Sequence, residues 1–175
     1  MKSAPFALLT ALLLLPSCQT TQQPLKPGMI RTGMAFSYQD TSTPGAESTD
    51  MALELAYGSF FKADQELGVK LGYNNSEENP TDPGVKPSSS TDRLVAVYGR
   101  YYLATQAVLL PWVELDLGWG RHTVGASGFG WSAGAGVTQF ITNGAAIEAS
   151  LDYQHFPGKM DTSSFRFLLG YAVFF

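Results

Sequence analysis

Between positions 29 and 175, bulky apolar side chains return at every second residue, in about eight separate runs. A period of two is the signature of a strand with one apolar face, and it excludes helices over most of the chain. The last run, FRFLLGYAVFF, is the clearest. Phe165, Phe167, Leu169, Tyr171, Val173 and Phe175 share one face, and Arg166, Leu168, Gly170, Ala172 and Phe174 share the other. In AAIEASLDYQHF, Ala145, Ile147, Ala149, Leu151 and Tyr153 alternate with Ala146, Glu148, Ser150, Asp152 and Gln154. GFGWSAGAGVTQFI sets Phe129, Trp131, Ala133, Ala135, Val137 and Ile141 against Gly130, Ser132, Gly134, Gly136 and Thr138. PWVELDLGWGR sets Val113, Leu115, Leu117 and Trp119 against Glu114, Asp116, Gly118 and Gly120. MALELAYGSFF and QELGVKLGYN repeat the pattern, with Glu54, Glu66 and Lys70 on their polar faces. In TDRLVAVYGRYYL, Val95, Val97, Tyr101 and Leu103 oppose Tyr98 and Arg100; in the first run, 29–38, the polar face is Arg31, Gly33, Ala35 and Ser37. Runs of roughly ten or eleven residues match a tilted strand crossing a bilayer.

The connections alternate in length. Polar loops are expected at 39–50 and 76–90, with shorter ones at 121–127 and 157–163. Tight turns fall between them at KAD (62–64), ATQA (104–107) and TNG (142–144). Charged residues make up only 15% of the chain, well below the roughly one quarter usual in soluble domains. The net charge of −4 argues against nucleic acid as a partner.

Alternation alone does not say which face is inside. A lipocalin-like lipid-binding lipoprotein of the periplasm would place the apolar face inward. Side-chain volume favours the reverse. The polar face is crowded with Gly, Ala and Ser, which suit a narrow lumen, whereas a water-facing surface would carry charge at most positions. The bulky Leu, Val, Phe, Trp and Tyr suit lipid. Tyr38, Tyr73, Trp119, Trp131 and Tyr153 fall near run ends, where an interfacial aromatic girdle belongs. The fold class expected is therefore all-β: a closed antiparallel up-and-down transmembrane β-barrel of about eight strands. Closure is required because an open sheet edge in hydrocarbon leaves unpaired backbone groups at several kcal/mol each.

The first segment, MKSAPFALLTALLLLPSCQTT, combines Lys2, an apolar run over 6–15 and small or turn residues. It reads as an export signal, too short for a membrane anchor. LPSC (Leu15, Pro16, Ser17, Cys18) resembles the bacterial lipoprotein lipobox. That resemblance implies cleavage before Cys18 and lipid attachment to Cys18, and Gln19 after it implies sorting to the outer membrane; a non-lipidated signal with an incidental cysteine is the alternative. The expected domains are 1–17 as a lipoprotein-type signal peptide, 18–28 as a polar, proline-bearing linker, and 29–175 as the barrel. A single cysteine excludes an internal disulfide.

Strand pattern, glycine-rich runs such as GFGWSAGAGV and the terminal strand together resemble the small eight-stranded outer-membrane β-barrel proteins, the OmpA-transmembrane-domain and OmpX-like group. The resemblance covers about 29–175. It implies a bacterial outer-membrane location with loops extracellular and both termini periplasmic, outer-membrane lipids and the barrel-assembly machinery as partners, a monomer, and no cofactor. Gly170, Tyr171, Val173 and Phe175 are similar to the C-terminal signal read by that machinery. No peptidoglycan-binding domain is expected after the barrel.

Arg31, Lys70, Arg100 and Arg166 share the inward phase with Glu54, Glu66, Glu114, Asp116, Glu148 and Asp152. Both signs in a narrow interior predict a mutually paired network that plugs the lumen and fixes the register. A narrow, porin-like ion pathway is the alternative. No catalytic constellation and no metal-ligand spacing stands out. Lipid A deacylase barrels use a His-x-Ser pair, but the matching positions here are His122-x-Val124 and His155-x-Pro157, so no enzyme is expected. The chain is expected to serve envelope integrity or surface interaction.

Overall fold

The computed structural model describes residues 25–43, 46–80, 86, 88–105, 107, 109–122, 127–157 and 162–175. The signal segment, Cys18 and the linker up to residue 24 lie outside these, as do the middles of several loops. Eight strands are present among the described residues: β1 (Ile30–Thr43), β2 (Ala46–Lys62), β3 (Gln65–Pro80), β4 (Ser88–Tyr102), β5 (Leu109–His122), β6 (Ser127–Phe140), β7 (Ala145–Phe156) and β8 (Thr162–Phe174). Each pairs antiparallel with its sequence neighbours, and β8 returns to β1, so the sheet closes as an up-and-down barrel.

The register fixes the shape. Starting at Arg31, the pairings run through Gly58, Gly68, Tyr98, Asp116, Ser132 and Gln154 to Ser164. Extending the β8–β1 register, in which Arg31 faces Phe174, brings Ser164 level with residue 41, ten residues along β1. A stagger of that size in eight strands corresponds to a strand tilt of about 40°. Such a barrel is narrow enough for side chains to fill.

The alternating faces lie as the side-chain volumes require. Leu67, Val95, Leu115 and Leu151 point outward, with 56–62% of their surface exposed, whereas Glu148, on the opposite phase of β7, is 7% exposed and inside. The lipocalin-like arrangement is thereby excluded. At the outward positions near one end, Trp131 packs on Tyr153 with ring centroids 5.6 Å apart, and Tyr153 on Phe165 at 4.8 Å.

Two expectations are corrected. The segments 39–50 and 76–90 are not loops throughout: β1 runs on to Thr43, β2 starts at Ala46, β3 reaches Pro80 and β4 starts at Ser88. Ser, Thr and Asn on both faces erase the alternation there, yet the ladder continues, with Gln39 paired to Asp50 and Ser76 to Ser90. Backbone pairing needs no apolar face once the register is set.

The end of the segment expected to be a linker is also not free. Leu25 and Met29 are buried at the barrel end that carries both described termini. Gly28 takes φ +86°, a conformation that favours glycine. Its N–H donates to the Phe60 carbonyl at 2.7 Å, and the Phe60 N–H donates to the Met29 carbonyl at 2.9 Å. This turn carries Leu25 into the barrel mouth.

Candidate functional site: the barrel lumen

Along its axis the lumen has three zones. At the end near the termini an apolar stopper is built from Leu25, Met29, Phe60, Tyr102, Leu110, Trp112, Phe140 and Phe174. The Phe174 ring lies 4.8 Å from that of Phe140 and 6.2 Å from that of Phe60. At the other end a cavity of about 110 Å³ is lined in part by Gly72, Asn74, Asp92, Leu94, Gln154, Phe156, Ser164 and Arg166.

Between them all ten inward-phase charges meet. Arg31 binds Glu148 through two nitrogens and lies 3.5 Å from Glu66. Glu148 is shared with Arg100 at 3.1 Å, and Arg100 donates through Nε to Glu114 at 2.8 Å. Glu114 passes the chain to Lys70 at 2.5 Å, which also meets Asp116 at 2.9 Å and Glu54 at 3.7 Å. Glu54 then meets Arg166 at 2.6 Å, and Arg166 donates to Asp152 at 3.2 Å. The result is one continuous ladder, with every member contributed by a strand position of inward phase.

Four cations face six carboxylates, so neutral donors supply the rest of the coordination. Tyr98 and Tyr102 donate to Glu66, Ser132 donates to Asp116 at 2.6 Å and Thr138 donates to Glu148 at 2.9 Å. Trp112 joins the zones: its Nε1–H donates to Thr138 at 3.0 Å, and the Arg100 guanidinium lies 3.7 Å over its ring. Gly58 is required here, because the Glu66 carboxylate and the Tyr98 hydroxyl occupy the space where a side chain would stand. The cavity among these charges measures about 30 Å³, room for about one or two waters.

The charges were legible from the strand phase. The stacking of Trp112 and the donor roles of Tyr102 and Thr138 carry no separate signal in the sequence, although all three lie on inward positions of their runs. Leu25 had no signal in the period, because it precedes the first strand.

His155 does have a serine partner: its Nδ1 lies 2.8 Å from Ser163 Oγ across β7–β8, and its ring is 5.9 Å from that of Trp131. A search for His-x-Ser along one strand misses a serine supplied by the neighbouring strand. Among the described residues no carboxylate completes that pair. His122 ends β5, and Val124 lies outside the described residues. Among the described residues no group of three His, Cys or carboxylate side chains is placed to hold a metal ion.

Several solved structures share this architecture. The outer membrane protein OprG from Pseudomonas aeruginosa superposes with a TM-score of 0.66 at 13% identity, over 88% of this chain and 99% of that one. Neisserial surface protein A gives 0.61 at 16%, over 83% and 96%. Ail, the attachment invasion locus protein of Yersinia pestis, gives 0.54 at 14%, over 85% and 99%. At such identities the likeness is one of fold. No curated protein matches the chain by sequence. A family profile does, over residues 7–172, and the chain therefore belongs to the outer membrane protein beta-barrel domain family, of the bacterial outer membrane.

Proposed function

We propose that this chain is a non-enzymatic, non-conducting outer-membrane barrel that serves envelope integrity or surface interaction. Residues 1–17 are removed as a lipoprotein-type signal. Cys18 carries the lipid, and 18–24 tether it to the barrel. Both termini are periplasmic, so the β1–β2 and β3–β4 hairpins face the exterior. The barrel works as a monomer held by outer-membrane lipids, and Gly170, Tyr171, Val173 and Phe175 are read by the assembly machinery.

The observation that carries the closed-lumen reading is the ion-pair ladder, lying directly above the apolar stopper. A migrating ion would have to separate buried pairs at 2.5–3.2 Å and then pass Phe60, Phe140, Phe174 and Leu25. Both steps oppose hydrated transport. Planar-bilayer recording of the refolded protein tests this. Silence at moderate voltage is expected, and reproducible unitary steps from the folded form would overturn it. A Leu25→Gly variant should stay silent, because the ladder alone fills the section.

A further inference from the structure

We propose that Arg93 and Arg121 form a site on the outside of the barrel for the phosphate of a membrane lipid. The two residues are direct partners in the β4–β5 register, and both are exposed on the outward face. Like charges directly opposite on a sheet destabilise it. The lumen cations are all paired with carboxylates, whereas among the described residues no carboxylate pairs with Arg93 or Arg121. An anion between the two guanidiniums turns the repulsion into attraction, and two planar forks suit a phosphate with several oxygens.

The surroundings select a lipid over a free ion. The register places Tyr73, Arg93, Arg121 and Ser127 in one outward row. The next outward row toward the termini is Leu71, Val95, Trp119 and Phe129, each more than half exposed. Two residues of strand separate the rows, about 7 Å. The cationic pair thus stands at the rim of the apolar band, where headgroup phosphates lie, with an apolar and aromatic row beneath it for acyl chains. Tyr73 and Ser127 flank the pair and add hydroxyl donors. The leaflet concerned, the outer one, rests on the orientation proposed above; phosphate recognition itself does not.

Native mass spectrometry of the folded protein in detergent tests the site with three probes: phosphatidic acid, diacylglycerol of the same chains, and inorganic phosphate. The wild type should hold phosphatidic acid at least about tenfold more tightly than diacylglycerol. Arg93→Gln with Arg121→Gln should abolish that preference, and Arg93→Lys with Arg121→Lys should keep part of it. Millimolar inorganic phosphate should not displace the lipid. Equal retention of both lipids by the wild type overturns the site, as does an undiminished preference in the double Gln variant. Displacement by inorganic phosphate would make it a free-anion site and overturn the lipid assignment. Heat-modifiable gel mobility verifies folding, and the single Arg121→Gln variant serves if the double variant does not fold. Because binding is read in detergent, a reversed orientation or a conducting lumen would leave this result unchanged.

Discussion

Arg100→Met is the sharpest probe of the ladder. Arg100 is buried, holds Glu114 at 2.8 Å and Glu148 at 3.1 Å, and covers the Trp112 ring at 3.7 Å. Methionine replaces most of the aliphatic volume but none of the charge. The carboxylate excess in the lumen then rises from two to three. Removing one partner of a buried pair costs about 3–5 kcal/mol, because the other charge stays desolvated. Here each orphan keeps a second cation, Glu114 retaining Lys70 and Glu148 retaining Arg31. The expected loss is therefore near the lower end, about 3 kcal/mol, including the lost stacking on Trp112. Equilibrium urea unfolding in lipid vesicles, followed by tryptophan fluorescence, measures it. Glu148→Gln in the Arg100→Met background removes one of the excess carboxylates, so the double variant should lose about 1–3 kcal/mol less than the sum of the single losses. A loss below about 1 kcal/mol for Arg100→Met, with strict additivity in the double variant, would refute the claim that the ladder stabilises the barrel as a coupled unit.

Three further outcomes follow from the faces of the strands. Leu115→Arg places a cation on the outward face in mid-span, between Gly99 and Ala133, and should cost about 2–4 kcal/mol in a bilayer; a negligible cost there would contradict a lipid-facing surface. Phe174→Ala opens the stopper and should cost about 3–5 kcal/mol of unfolding free energy. Deletion of the outward Phe175 should instead impair assembly in cells more than Phe174→Ala does, and equal yields of the two folded variants would refute the division of roles.

The period of two was enough to place Arg31, Lys70, Arg100, Arg166 and six carboxylates on one face, because alternation is a local property of a strand. It also separated Phe174 from Phe175. Their partners were not legible. Arg31 and Glu148 are 117 residues apart and come together only because β8 closes on β1, which makes the inward faces of all eight strands converge. The hairpins above the band are illegible in the sequence for the opposite reason: polar residues on both faces hide a ladder that is there.

The sequence by itself determined the architecture and its polarity, since bulky apolar and small polar positions alternate and a membrane tolerates only a closed sheet. Tertiary structure alone decided the register, with its stagger of ten residues. That register dictates which charge meets which, sets Leu25 into the mouth, and brings Arg93 opposite Arg121. Strand pairing is a long-range choice among many offsets, and it is fixed only when all eight seams close together.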